Sequence, residues 1–545
     1  MRRWVVVAVV AVAAVGVLAT AVTAAAIQRQ REREARLAAI DIAEQFAIAW
    51  ETGDWERLDA LVHDPEVGAG AAHAQASEAL RLTDAEVTLA DVAFDGAADE
   101  GGRASYAASF TVAGLGEWDY AGDFGLVPTD SEWVVEWTPA TLHPDLADGQ
   151  RLERERHWLP RAPLLDRHGA DLSAGPFGGL AGSLGEATAE QLEELGVPYL
   201  PGDVVGQSGM QRSLERRLAG DPGGEIRIVA GEGEVVKVLQ EFPSTDPQPV
   251  RTTLDPAVQG AGSAALAPIG RPSALVAVDV PTGEVRAAVN SPVAGFDRAL
   301  SGRYPPGSTF KVVTTAALLA GGLDPAATVQ CPGRYTVGGR SFRNAGFSAL
   351  GPISFREAFA ESCNTAFVSQ AEQLPEGVLE TTARLFGFNV DYDVGVPVAD
   401  ARFPEPTDAV DHVAASIGQG RVEATPLHMA SVAAAVARGQ WVAPRILVDE
   451  PADPVVGEPL PAPVAAQMAD LMRHAVAAGT GTEAQVPGEP VAGKTGTAEF
   501  GAGSATHAWF IAYRGDLAIA VLVDGGGFGG AVAAPAAARF FTTLG

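Results

Sequence analysis

The chain has 545 residues, with 38 Lys+Arg against 68 Asp+Glu, a formal net charge of −30 and 47% apolar residues. At roughly 100–200 residues per domain that length accommodates three or four domains, and the apolar content excludes wholesale disorder. The acidic balance excludes nucleic acid as the expected partner, the two cysteines exclude a disulfide-dense scaffold, and the nine histidines show no paired spacing of a metal site.

The amino end carries an uncharged run, Trp4 to Ile27, built almost entirely of Val, Ala and Leu. At about 1.5 Å per residue it is long enough for a bilayer core. Arg2 and Arg3 precede it, and Arg29, Arg31, Arg33 and Arg36 follow it. A retained anchor and a cleaved signal peptide with Ala24–Ala26 at its cleavage site are both compatible with this pattern, and the length favours the anchor. Either way the remainder lies outside the cytoplasm, where a Cys331–Cys363 bridge becomes possible; two separate buried thiols are the alternative.

Residues 35–62 read as helix, with Leu37, Ile40, Phe46 and Trp50 near helical spacing and Gly53 breaking the run. Strands are predicted at 85–94, 104–112, 118–127 and 132–138, the last on the alternation of Trp133, Val135 and Trp137. Helices followed by a meandering sheet predict an α+β domain over 35–148, with no catalytic constellation in it. Residues 149–250 are rich in Gly, Pro and charge and show no long periodic segment, which predicts an extended module without a compact core. From Arg251 to the end, a hairpin (274–280 and 284–290), helices near Ser308, at 355–372 and at 426–438, and closing strands predict one large domain: an antiparallel sheet flanked by helices.

Only three of the basic residues are lysines, namely Lys237, Lys311 and Lys494. Arg cannot release its proton in a protein, whereas a desolvated Lys can. Lys311 closes the run Tyr304-Pro305-Pro306-Gly307-Ser308-Thr309-Phe310-Lys311. Pro-Pro-Gly sets Ser308 at a helix amino end, and the i, i+3 spacing turns Ser308 and Lys311 to one face, about a hydrogen bond apart. A serine hydroxyl is a weak nucleophile until a base takes its proton, and a neutral Lys can be that base. Free N–H groups at the helix start would face a developing oxyanion. By itself this S-x-x-K is no more than a capping Ser with a solvated Lys. Ser362-Cys363-Asn364 adds a hydroxyl and an amide. Lys494-Thr495-Gly496-Thr497 adds a cation, hydroxyls and a glycine that admits a ligand backbone to a strand edge. Lys237 matches no motif and reads as a solvated surface residue.

S-x-x-K, S-x-N and K-T-G occur in that order, with two of the three lysines at the two required positions; this trio marks penicillin-binding proteins and active-site-serine β-lactamases. The chain resembles class B penicillin-binding proteins, the monofunctional D,D-transpeptidases of peptidoglycan synthesis, with Cys363 standing where the S-D-N form of the motif has Asp. Further likenesses are Arg251-Thr252-Thr253-Leu254-Asp255-Pro256, Ile417-Gly418-Gln419-Gly420 and His507-Ala508-Trp509-Phe510. Residues 149–250 are similar to the family's dimerisation or pedestal module, and 35–148 to a nuclear-transport-factor-like extension. The resemblance implies four parts: a membrane anchor with its basic flank at 1–34, the extension at 35–148, the pedestal at 149–250 and the transpeptidase domain at 251–545.

The resemblance also implies the chemistry. Ser308 attacks the penultimate carbonyl of a stem peptide ending in D-Ala-D-Ala, Lys311 takes its proton, and Ser362 relays a proton to the leaving nitrogen near Lys311 and Lys494. Asn364 binds the donor amide, while Lys494, Thr495 and Thr497 hold the terminal carboxylate, with Gly496 leaving room. An amine of a second stem then resolves the acyl-enzyme. Penicillins and other β-lactams acylate Ser308, no metal or organic cofactor takes part, and a polytopic glycan polymerase is the implied partner. A D,D-carboxypeptidase, a serine β-lactamase and a catalytically quiet scaffold for wall assembly are the competing expectations.

Overall fold

A computed structural model describes the backbone of residues 2–545 other than 95, 97–99, 131, 449–454 and 501–504, and the side chains from residue 18 onward, other than those and 174 and 347. The chain divides into two compact units. The first comprises Met1–Arg161, Glu186–Asp203 and Ala219–Pro247, and the second Ala162–Gly185, Val204–Leu218 and Gln248–Gly545.

In the first unit, helix α1 runs over Arg2–Thr52, α2 over Trp55–Ala60 and α3 over Ala69–Leu80. The Asp54 carboxylate accepts the Arg57 N–H and so caps α2 just after the break at Gly53. A four-stranded antiparallel meander follows: β1 (Leu82–Ala93), β2 (Gly102–Val112), β3 (Gly116–Pro128) and β4 (Trp133–Glu136). Phe46 and Trp50 of α1 are buried against the sheet's Tyr106, Phe110 and Phe124, with the Phe46 and Phe124 ring centroids 4.9 Å apart. The expected strand at 132–138 is shorter, because Thr138 and Thr141 form a capping box that starts a helical turn. Most of the expected anchor run, Trp4–Ile27, lies outside the described side chains, and among the described residues no helix is long and apolar enough to cross a membrane.

The segment from 149 to 250 holds more regular structure than expected, while its buried residues belong to the cores of the two units and form no separate cluster among the described residues. Strands β5 (Gln150–His157), β6 (Gly223–Ala230) and β7 (Glu234–Phe242) form an antiparallel sheet in the order β7-β6-β5. Leu152, Ile226, Ile228 and Phe242 join the first unit's core, while Leu164, Leu172, Phe177, Leu180 and Leu218 join that of the second. The strand pairing is non-local, Leu152 against Ile228, and a scan for local periodicity is blind to it. Lys237 is exposed and pairs with Asp145 at 2.6 Å.

The second unit is built on a five-stranded antiparallel sheet. Its strands are β8 (Ser273–Asp279), β9 (Val285–Ser291), β12 (Ala492–Glu499), β13 (Thr506–Arg514) and β14 (Leu517–Val523), in the order β9-β8-β14-β13-β12. The first hairpin and the last three strands therefore meet in one sheet, and β12 is its outer edge. Helices α4 (Pro256–Leu266) and α10 (Gly529–Leu544) cover one face, where Leu275, Ala277, Phe510 and Val521 are buried. Helix α8 (Pro426–Arg438) lies on the other, over Val276, Ile511 and Leu522. Each cap is legible: Asp255 accepts from Ala257 and Val258 N–H ahead of Pro256, and Thr425 accepts from His428 N–H ahead of Pro426.

Phe46 is fully buried in the first unit's core. Phe46→Ala is expected to lower that unit's unfolding free energy by about 3–5 kcal/mol, read by tryptophan fluorescence in a denaturant titration.

Candidate active site

Ser308 sits in a 3-10 turn, Gly307–Phe310, that runs into α5 (Lys311–Ala320). In such a turn residues i and i+3 eclipse, so Ser308 and Lys311 share one side. The turn is held in place by close backbone packing. Gly307 N–H donates to Gly418 O at 2.9 Å, and a side chain at Gly418 would meet Gly307 O at 2.1 Å with φ +68°. From the sheet side, a Cβ at Gly496 of β12 would stand 2.8 Å from Thr309 Cγ2 and 3.0 Å from Pro306 O. Trp509 of β13 donates its indole N–H to Pro305 O at 3.0 Å. The K-T-G edge and the serine turn are thus pressed together at a distance only glycine allows.

The S-x-N residues lie between two short helices, α6 (Phe355–Ala360) and α7 (Asn364–Ala371). Ser362 is held at φ +55°, a left-handed conformation costing roughly 1–2 kcal/mol for a non-glycine residue. This turn aims its carbonyl and hydroxyl at the lysine. Lys311 Nζ donates to Ser362 O at 2.7 Å, to Ser362 Oγ at 3.2 Å and to Asn364 Oδ1 at 2.7 Å. Three acceptors thus surround the Lys311 amine, and among the described residues no hydrogen bond joins it to Ser308 Oγ. The expected Ser308–Lys311 contact is therefore replaced by one between Lys311 and the S-x-N motif, with Ser308 left facing the cleft.

Lys311 and Lys494 are both fully buried. Burial, reinforced by the Lys494 charge, holds the Lys311 amine well below its ordinary 10.5. Burial lowers Lys494 to about 7, with the Glu361 carboxylate pulling the other way. Lys311 Nζ lies 5.1 Å from the Phe367 ring centroid and Lys494 Nζ 5.7 Å from that of Phe359, so aromatic faces replace part of the lost hydration. Lys494 Nζ also donates to Thr495 O at 3.0 Å.

A cleft of about 960 Å³ opens over this group, and Ser308, Ser362, Asn364, Thr495 and Thr497 all line it. On β12 Thr495, Thr497 and Glu499 line the cleft while Lys494 and Gly496 lie on the strand's other face, as strand alternation requires. The sequence reading missed Thr480, whose hydroxyl meets Thr495 Oγ1 at 2.6 Å and donates to Ala360 O. Its Gly479-Thr480-Gly481 run was the available signal. Arg340 and Arg343 on the opposite wall, and Glu499 at the end of β12, were also missed. They stand outside the motifs and carry no local mark.

Cys331 and Cys363 form a disulfide, which decides between the two cysteine readings. Cys363 is thereby bonded between the two lysine-binding residues. Asn344 is buried alongside, its side-chain N–H groups donating to Pro332 O and Ser348 O and its Oδ1 accepting the Thr365 N–H.

Three family models match in succession: the NTF2-like N-terminal transpeptidase domain over residues 38–150, the penicillin-binding protein dimerisation domain over 175–252 and the penicillin-binding protein transpeptidase domain over 273–542. A peptidoglycan D,D-transpeptidase PbpA of Mycobacterium tuberculosis is 34% identical over 365 residues, covering 54% of this chain and 72% of the relative. The protein of that name from Mycolicibacterium smegmatis is 35% identical over 269 residues, 44% of this chain, so the match spans about half of that relative's length, 55%. Among solved structures, the imipenem acyl-enzyme of M. tuberculosis penicillin-binding protein A is 30% identical, with TM-score 0.51 over 55% of this chain and 80% of that one. A chain from a structure of a peptidoglycan synthase complex, described as coordinating polymerization and crosslinking, is 26% identical with TM-score 0.62 over 73% of this chain and 92% of that one.

The disulfide closes a loop of sequence separation 32. Replacing both cysteines by alanine is expected to lower stability by about 3–4 kcal/mol on the loop-entropy scale, measured as a drop in the melting temperature of the second unit.

Proposed function

The chain belongs to the family of penicillin-binding protein transpeptidases, and from that premise we propose that it is a peptidoglycan D,D-transpeptidase that cross-links stem peptides through an acyl-enzyme on Ser308. The observation that carries the reading is the Lys311 amine, stripped of water and bound to Ser362 and Asn364, one helical step from a serine that lines the same cleft as the K-T-G edge.

The steps follow from these positions. Neutral Lys311 takes the Ser308 proton as Oγ attacks the penultimate D-Ala carbonyl. The backbone N–H groups of Ser308 and Thr497 receive the oxyanion, as donors fixed before the charge develops. The C–N bond to the terminal D-Ala breaks, and its nitrogen takes a proton from Lys311 through Ser362 Oγ, which lies 3.2 Å from the amine. Asn364 orients the donor amide. Lys494, Thr495 and Thr497 hold the terminal carboxylate, and Gly496 keeps β12 flat enough for an extended peptide to lie on its open edge. An amine from a second stem attacks the ester, forms the cross-link and returns the proton to Ser308. A β-lactam enters the first half of this sequence, because its amide occupies the place of the D-Ala-D-Ala bond.

In this reading residues 1–34 are a membrane anchor with its basic flank, and the catalytic domain works outside the cytoplasm as part of a single-pass cell-membrane protein. Residues 35–148 are the nuclear-transport-factor-like extension, 149–250 the dimerisation or pedestal module and 251–545 the transpeptidase domain. The likeness to a chain of a peptidoglycan synthase complex supports a glycan polymerase as the membrane partner.

Ser308→Ala is expected to reduce labelling by a fluorescent penicillin more than about a thousandfold while the fold survives, and persistent labelling would remove Ser308 from its role. Lys311→Arg keeps the charge but loses the base, so acylation should fall about a hundred- to ten-thousandfold in the same assay.

The second-order acylation rate should be bell-shaped in pH. Lys311 must be neutral, so the rate falls on the acid side as it gains a proton, at a pH well below the ordinary 10.5 of lysine. Lys494 must be charged to hold the carboxylate, so the rate falls again above about 7. Lys494→Arg should move the alkaline limb out of range, since guanidinium keeps its proton. An unchanged alkaline limb would assign it to another group.

A further inference from the structure

The cleft wall facing β12 is a short hairpin of β10 (Arg334–Val337) and β11 (Arg340–Arg343), joined by Gly338-Gly339. Two observations fix it against the reacting groups. Asn364 Nδ2 donates to Arg343 O at 2.9 Å, tying the end of β11 to the residue that also holds Lys311. At the other end the turn packs on Val410 of the helix Ala409–Ala415, since a Cβ at Gly338 would meet Val410 Cγ2 at 2.6 Å. The hairpin is therefore tied to the catalytic cluster at its Arg343 end and packed on the domain at its turn.

Two of its three arginines, Arg340 and Arg343, line the cleft and differ in their partners. Arg343 is offset by Glu499 of β12, 3.6 Å away. Arg340 is exposed, lines the cleft, lies 5.4 Å over the Phe342 ring and makes no ion pair among the described residues. The aromatic face limits the freedom of its guanidinium, and a planar, permanently charged fork is the side chain best shaped for a carboxylate. In a chain of net charge −30, a positive group in the cleft without an ion-pair partner among the described residues is available to an anionic ligand.

We propose that Arg340 is a specificity-determining residue that selects stem peptides whose third residue carries a free side-chain carboxylate, of the 2,6-diaminopimelate type, over those carrying lysine. This rests on the transpeptidase reading and deepens it. The two third residues have the same chain length and the same reactive amine. They differ at the ε-carbon, where diaminopimelate adds a carboxylate and lysine adds nothing. A diaminopimelate stem therefore gives Arg340 a charge-assisted partner, while a lysine stem brings only an ammonium toward a guanidinium. The other acidic residues of the cleft, Glu361 and Glu499, are engaged: Glu361 acts on Lys494, and Glu499 pairs with Arg343.

The test uses the full chain in detergent with three synthetic disaccharide pentapeptides, bearing diaminopimelate, its side-chain amide or lysine at the third position. Each serves as both donor and acceptor. D-Ala release and dimer formation are both read by mass spectrometry, so a preference is visible in either half-reaction. The expected result is turnover about tenfold faster with diaminopimelate than with lysine or the amide, the scale of one charge-assisted hydrogen bond. In Arg340→Gln that ratio should collapse to near one, and in Arg340→Lys it should be partly restored. Equal rates on all three stems, or a ratio unmoved in Arg340→Gln, overturn the proposal. Labelling of Ser308 by a fluorescent penicillin in the same preparation separates the failures: a labelled enzyme without stem preference defeats only the Arg340 assignment, and an unlabelled one defeats the transpeptidase reading beneath it.

Discussion

One constraint organises the second unit: an amine must be kept dry beside a hydroxyl that must stay wet enough to meet substrate. Lys311 is fully buried, yet its three acceptors come from a single short turn, Ser362 to Asn364. Burial favours the neutral form, while three acceptors favour the charged one. That opposition is what the proposed role, taking a proton and later returning it, requires of the group. An arginine in the same place would satisfy the acceptors and could never empty itself.

The surrounding packing serves this arrangement. Gly418 against Gly307 and Gly496 against Thr309 bring three separate chain segments into backbone contact around the serine turn. No side-chain interaction could hold them as close, and any Cβ at these contacts would open the cluster. The sheet supplies the fixed frame. Because β12 is its edge strand, the outward hydroxyls of Thr495 and Thr497 face the cleft, while Lys494 is buried under it. Alternation along one strand thus places a lysine pushed down to about 7 below two neutral hydroxyls.

The motif residues were legible in the sequence for a physical reason. Lysine is scarce in this chain, and the chemistry demands a titratable cation at two places, so Lys311 and Lys494 stood out against an arginine background. The sheet was legible as well, because β8, β13 and β14 carry continuous apolar runs buried on both faces and the tight turn after β8 marks the first hairpin. The sheet of β5, β6 and β7 was not: β5 pairs with β6 from far along the chain, and β7 shows little burial to mark it. The hydrogen-bond partner of Lys311 was also misplaced. Spacing of i and i+3 shows that two residues share a face, and says nothing about which acceptor wins when a third segment folds over them.

That third segment is the least readable and the most consequential. Ser362 adopts a positive φ without being glycine, so no residue type announces the turn. Its cost is met by neighbours that over-determine the backbone. Cys363 is fastened to Cys331, the Thr365 N–H is held by Asn344 Oδ1, and Asn364 reaches across to Arg343 O. Asn344 and Arg343 are adjacent in sequence, at the end of the cleft's far wall. The residues that steady the lysine's acceptors and those that form the far wall are therefore one structure, joined through Asn364, Asn344 and Arg343.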